Sequence, residues 1–172
     1  MRIYTDGSTY PKNPGNGGGA FLAIGNQYNY VQSWFLGENL TNNQAELLAI
    51  SGAVDMALEY NIKTLTILTD SQYCLFGIRR IYGKKELLTS NSPLWEELAR
   101  KIRKHSVKII PILIEGHSGI KENTLVDRLA YLATDNKTTY NEFVPKDDFD
   151  SFTETIKEEK TRRRRENKNA GK

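Results

Sequence analysis

The chain has 172 residues, enough for one packed domain and short for two, and a composition of 38% hydrophobic and 26% charged residues excludes a chain disordered throughout. No apolar run approaches the roughly 20 residues of a membrane-spanning helix, and the N-terminus reads as a strand where a secretory leader would be basic and then apolar, so a cytoplasmic location is expected. The formal net charge of +3 is too small to announce a nucleic-acid binder, and the single cysteine, Cys74, excludes an internal disulfide or a zinc cluster and is expected to be buried as a small hydrophobe.

Along the chain, Met1 to Thr5 has alternating apolar residues and predicts a first strand that ends in a turn at Asp6-Gly7-Ser8. Pro11 to Gly19 is rich in Pro, Gly and Asn and reads as a loop. Ala20 to Ile24 and Tyr28 to Leu36 are β-forming stretches around Gly25-Asn26-Gln27, which predicts an antiparallel hairpin and, with the first strand, a meander. From Thr41 to Tyr60, Leu47, Ile50, Val54 and Leu58 follow helical spacing, with Thr41 or Asn42 as the cap. Thr64 to Thr69 predicts a buried strand running into Asp70, followed by a helix over about Ser71 to Ile81. Ser92-Pro93 offers a helix start that continues from Leu94 to Lys104. Val107 to Ile114 is an apolar strand in which Pro111 is best placed at an edge or bulge, and a last helix is expected over Glu122 to Thr134. The order predicts an α/β fold, a mixed sheet covered by helices.

Past Asp135 the periodicity weakens. Phe143, Val144, Phe149, Phe152 and Ile156 can dock a short segment, so residues 1–134 are expected to form the main domain and 135–172 an extension, partly docked or disordered. Residues 135–159 carry eight acids and three bases, whereas 160–172 carry seven bases and one acid. The Arg162–Arg165 run has no apolar partner and is expected to be a disordered basic tail.

Four acids fall where strands or a long helix deliver side chains: Asp6 after the first strand, Glu46 near a helix start, Asp70 after the later buried strand, and Asp127 on the last helix. Ligands of open α/β sheets collect outside the carboxyl ends of strands, which brings Asp6 and Asp70 together if their strands are neighbours. Taken singly, each aspartate beside a turn is ordinarily a turn former, Glu46 a solvated helix residue and Asp127 a partner of Arg128. Taken together, crowded carboxylates repel unless cations intervene, and hard oxygen ligands suit magnesium or manganese. Two such ions about 3.5–4 Å apart can activate water and stabilise a leaving oxygen in phosphodiester hydrolysis. His117, between Glu115-Gly116 and Ser118-Gly119, sits where a loop imidazole can move protons.

Thr5-Asp6-Gly7-Ser8, Asn13-Pro14-Gly15, Thr41-Asn42-Asn43-Gln44-Ala45-Glu46-Leu47, Thr69-Asp70-Ser71-Gln72-Tyr73, and Gly116-His117-Ser118-Gly119 through Asn123 to Asp127-Arg128-Leu129-Ala130 resemble, in order and spacing, type 1 ribonuclease H. The resemblance covers about residues 1–134. It implies a ribonuclease H-like fold, with a five-stranded mixed sheet in the order 3-2-1-4-5, strand 2 antiparallel, and helices on both faces. It also implies a catalytic site of Asp6, Glu46, Asp70, His117 and Asp127, whose four carboxylates hold two Mg2+ ions that Mn2+ can replace. The implied reaction is endonucleolytic cleavage of the RNA strand of an RNA–DNA hybrid, leaving 5′-phosphate and 3′-hydroxyl ends, by a monomer with no obligate protein partner and no membrane attachment. By the same resemblance, Asn13, Asn42, Asn43 and Gln72 line the minor groove of the hybrid and Thr41 helps hold a phosphate of the DNA strand.

An amide both donates and accepts, as the 2′-hydroxyl that marks RNA does. Gly15 and Gly17 to Gly19 are expected to turn or to approach the duplex. The segment from Tyr82 to Asn91 is shorter than the basic protrusion of well-known family members, leaving Arg79, Arg80, Lys84 and Lys85 as a partial basic surface, with Arg162–Arg165 adding non-specific phosphate attraction. Two other readings stand beside this one: an idle nucleic-acid-binding module of the same fold, and a related nuclease acting on DNA or structured RNA.

Overall fold

The computed structural model describes residues 1–83, 86–116, 119–135 and 138–170. Its strands are β1 (Arg2–Tyr10), β2 (Gly15–Ile24), β3 (Tyr28–Leu40), β4 (Thr64–Thr69), β5 (Lys108–Leu113) and β6 (Tyr140–Pro145). Its helices are α1 (Asn42–Glu59), α2 (Gln72–Tyr82), α3 (Ser92–His105), α4 (Lys121–Ala133) and α5 (Phe149–Ala170). The sheet order is β5-β4-β1-β2-β3-β6, with β4 parallel to both β1 and β5 and every other pair antiparallel. The expected order 3-2-1-4-5 is therefore present, but a sixth strand extends it, correcting the expected five. β6 buries only Val144 and so gives little apolar signal; main-chain pairing with the outer edge of β3, from Tyr28 opposite Pro145 to Ser33 opposite Tyr140, makes it a strand.

Alternation along the central strands splits the core in two, because successive strand residues point to opposite faces. Ile3, Phe21, Ala23 and Ile67 face α1, α2 and α3, where Leu47, Ile50, Val54, Ile78, Trp95 and Leu98 are buried. Tyr4, Ala20, Leu22 and Leu68 face the other way, onto Leu125, Val126 and Leu129 of α4 and Phe149 and Ile156 of α5. Cys74 is fully buried in the first layer. No helix among the described residues is long and apolar enough to cross a membrane.

Two glycine-containing segments read as turn or loop are strand. Asp6-Gly7-Ser8 lies inside β1, paired with Ala20, Gly19 and Gly18, and Gly17 to Gly19 are buried in β2. The reason is packing. A Cβ at Gly7 would lie 2.1 Å from the Glu46 nitrogen, and one at Gly18 would lie 2.1 Å from the Ala130 oxygen, so these glycines let α1 and α4 press onto the sheet. Gly17 to Gly19 consequently have no exposed backbone surface to offer a duplex.

The expected disorder of Arg162–Arg165 is also corrected, since α5 runs through it. Phe149, Phe152, Thr153, Ile156, Lys160 and Arg163 recur at helical spacing on the side of α5 turned to the core, and Arg163 pairs with Asp135 at 2.8 Å and donates to Thr138 at 2.9 Å. The apolar stripe thus continues as a polar one, which a hydrophobic pattern alone does not reveal. Because Ile156 is fully buried, Ile156→Ala is expected to lower unfolding free energy by about 2–4 kcal/mol in a single urea transition. A separate early transition for α5, or no loss, would show that the helix is not part of the cooperative core.

Candidate metal centre

Parallel pairing of β1 with β4 sets Ile3 opposite Ile67 and Tyr4 opposite Leu68, so continuing the register two residues brings Asp6 level with Asp70 at the carboxyl end of β4. Glu46 arrives from the first turns of α1. Thr41 caps that helix in a reciprocal box: its hydroxyl accepts from the Gln44 amide at 3.3 Å, while the Gln44 side-chain oxygen accepts from the Thr41 amide at 2.8 Å. Gly7 then allows the helix to sit on β1, with its backbone N–H placed to favour the charged Glu46 carboxylate. After β4, Ser71 caps α2 by accepting from the Cys74 amide at 3.3 Å.

The result is a compact oxygen cluster. One carboxylate oxygen from each of Asp6, Glu46 and Asp70 lies within 4.8 Å of the others. Asp6 is only 8% exposed, and Glu46 Oε2 is buried without a hydrogen-bond partner. Burial, and after it the charges of Asp127 and Asp70, hold the Asp6 carboxyl well above its ordinary range; burial, Asp6 and Asp70 do the same to Glu46, against the Gly7 N–H. An orphaned buried acceptor beside two other hard oxygen donors fits a divalent cation of the magnesium class.

Asp127, on α4, is close enough for its charge to act on Asp6 and Glu46, yet it stands outside the three-carboxylate group. Its Oδ2 accepts from Lys160 Nζ of α5 at 2.6 Å. Sequence reasoning missed Lys160. The available signal was positional, since Lys160 follows Ile156 by four residues on the stripe begun by Phe149 and Phe152. The loop after β5 also reaches the cluster, because a Cβ at Gly116 would lie 2.9 Å from Asp70 Oδ2. His117 lies outside the described residues, as do Lys84 and Lys85 of the expected basic surface.

The expected substrate-contacting residues lie at the start of α1 and the segments facing it. Asn13 Oδ1 accepts from the Asn42 amide at 3.1 Å, and the Thr9 hydroxyl donates to Asn42 Oδ1, so the β1–β2 connection is tied to the helix start. Asn13, Asn42, Asn43 and Gln72 are exposed, and Thr41 is half-buried with its hydroxyl engaged in the cap.

The RNase H family profile matches residues 1–135. A ribonuclease H of Novosphingobium aromaticivorans is 36% identical over 140 residues, covering 76% of this chain and 93% of that protein. A ribonuclease H of Aeromonas salmonicida is 36% identical over 146 residues, covering 78% and 90%. Among solved structures, LC9-RNase H1, described as a type 1 RNase H with the type 2 active-site motif, superposes with a TM-score of 0.68 at 19% identity, over 88% of this chain and 79% of the other. LC11-RNase H1 in complex with an RNA/DNA hybrid gives 0.57 at 22% identity, over 76% and 96%. At these identities the structural matches speak for the fold.

Because Asp6 and Glu46 bind protons more readily folded than unfolded, the metal-free protein is favoured below their ordinary pKa values of 3.8 and 4.5 and loses that advantage as pH rises toward their folded values. In chelator, Asp6→Asn is expected to raise the melting temperature at pH 8 by roughly 2–8 °C, the shift for 1–2 kcal/mol in a domain of this size, and to change it far less at pH 4. Thermal unfolding by circular dichroism at both pH values checks this; an equal shift at both would remove charge crowding as its cause.

Proposed function

The chain belongs to the ribonuclease H family of nucleases, and from that premise we propose that it hydrolyses the RNA strand of RNA–DNA hybrids endonucleolytically, at a site formed by Asp6, Glu46, Asp70 and Asp127. The observation that carries the reading is the convergence of Asp6, which is buried, with the half-buried Glu46 and Asp70, a crowding of like charges that a cation would relieve. Asp6, Glu46, Asp70 and Asp127 would hold magnesium-class ions, which when bound would lower the pKa of an attacking water and offset charge on the leaving 3′-oxygen, consistent with 5′-phosphate and 3′-hydroxyl ends. Asp6 and Asp70, on adjacent rigid strands, fix the positions of two of the oxygen donors. Glu46 adds a third donor from the helix.

The exposed amides of Asn13, Asn42, Asn43 and Gln72 suit a minor groove in which one strand presents 2′-hydroxyls, and this supports hybrid over duplex DNA. His117, which follows Gly116 in sequence, is assigned proton transfer or product release. Arg164 and Arg165 are exposed on α5, with the Arg164 guanidinium over the Tyr131 ring at 5.3 Å, and they add phosphate attraction beside the site. Their neighbours in the basic run are otherwise engaged: Arg163 with Asp135, and Arg162 with Glu159. We assign the chain a cytoplasmic, monomeric enzyme, with residues 135–172 as an extension to the catalytic domain.

Incubation with labelled RNA–DNA hybrid, double-stranded RNA, double-stranded DNA and single strands is expected to show cleavage of the hybrid RNA alone, dependent on Mg2+ or Mn2+. Asp70→Asn should lower the rate at least about 100-fold, since even the outer partners of metal ligands cost 10–100-fold. Binding without cleavage would identify an idle module, and cleavage of DNA a different nuclease. Replacing both Arg164 and Arg165 with alanine should raise KM and reduce the slope of log KM against log salt by up to about 2, one unit for each arginine that meets a phosphate; an unchanged slope would remove α5 from the substrate surface.

A further inference from the structure

Lys160 is an unusual neighbour for a metal centre. It is only 9% exposed, although lysine is among the residues least often buried. Its ammonium is held by Asp127 Oδ2 at 2.6 Å and lies over the Tyr131 ring at 5.2 Å, two contacts on successive turns of α4. Burying an ammonium is costly unless it is paired, and here the partner is the fourth carboxylate of the site. The lysine comes from α5, beyond the residues that the family profile matches. A positive charge is thus supplied by the chain itself at the edge of the cluster where Asp127 meets Asp6 and Glu46.

We propose that Lys160 is a built-in counter-ion of the site: it pairs with Asp127 where a divalent cation would otherwise do so, competes with the cation for that carboxylate, and so raises the metal concentration that the enzyme requires. The inference rests on the four-carboxylate reading above. Oδ2 of Asp127 is engaged by the ammonium at 2.6 Å, so a cation drawing on the same carboxylate competes with the lysine for its charge. Lys160 also repels any divalent ion that the same carboxylates hold. Lys160 is therefore a positioning residue. It keeps Asp127 ordered in the metal-free protein, and the cost appears as weaker metal affinity.

The test is calorimetric titration of the full chain with Mn2+, using wild type, Lys160→Met and Lys160→Arg. The methionine keeps an apolar stem against Tyr131 and removes the charge. Lys160→Met should bind Mn2+ at least about fivefold more tightly, at the lower end of usual coupling between sites, and show a larger rise in melting temperature on adding metal. Lys160→Arg should behave as wild type. Equal or weaker affinity in a folded Lys160→Met protein overturns the proposal.

A measurement on the unaltered chain covers the case in which the methionine variant does not fold. The Lys160 Nζ and Cε resonances should shift as Mg2+ saturates the site, and resonances that do not move at saturation overturn the proposal equally. Asp70→Asn separates the two readings: if wild type binds no Mn2+, or Asp70→Asn binds it as wild type does, the metal centre itself fails. If wild type binds and Asp70→Asn does not, only the role of Lys160 is at issue.

Discussion

Repulsion among carboxylates governs this molecule. Asp6, Glu46 and Asp70 are each delivered by a different element, and burial together with the neighbouring charges makes Asp6 and Glu46 more costly to ionise. A protein does not keep such a group together cheaply, so the surrounding structure has to be stiff. Asp6 lies in the central strand, flanked by β2 and β4, and Asp70 follows a strand paired on both sides. Glu46 is fixed by a capped helix pressed onto Gly7. Each anchor is a backbone arrangement, which does not relax when the side chains repel.

The same constraint explains what lies around the cluster. Small residues take the places where a side chain would push elements apart: Gly7 beneath α1, Gly18 beneath α4, and Gly116 against Asp70. The opposite face of the sheet is closed by α4 and α5, and this closing layer brings Lys160 to Asp127. Asp127 therefore answers to two demands, an ammonium from α5 and the electrostatic field of the other three acids. It stands outside the tight group of the other three.

The C-terminal segment is continuous with this architecture. β6 lengthens the sheet at the edge of β3, and α5 covers α4 with Phe149, Phe152 and Ile156 before presenting Lys160 and Arg163. A segment that begins as apolar packing ends as charge pairing, so the element that completes the second core layer also reaches Asp127.

Much of this is legible in the sequence. The helical spacing of Leu47, Ile50 and Val54, the β-branched run from Thr64 to Thr69, and the order of elements are local or near-local signals, and they determine the α/β class and the neighbours of the central strand. Spacing and resemblance single out Asp6, Glu46 and Asp70, and their side chains meet in the folded chain. What only tertiary structure decided were contacts between segments distant in sequence. Glycines that read as turns became close-packing points in β1 and β2, because the signal of a glycine is its missing side chain and the sequence does not say what fills the space. β6 and the basic half of α5 were hidden because a strand held by main-chain pairing, and a helix end held by ion pairs, leave little hydrophobic periodicity to read. Lys160 joins Asp127 across 33 residues, and no local pattern in either segment announces the meeting.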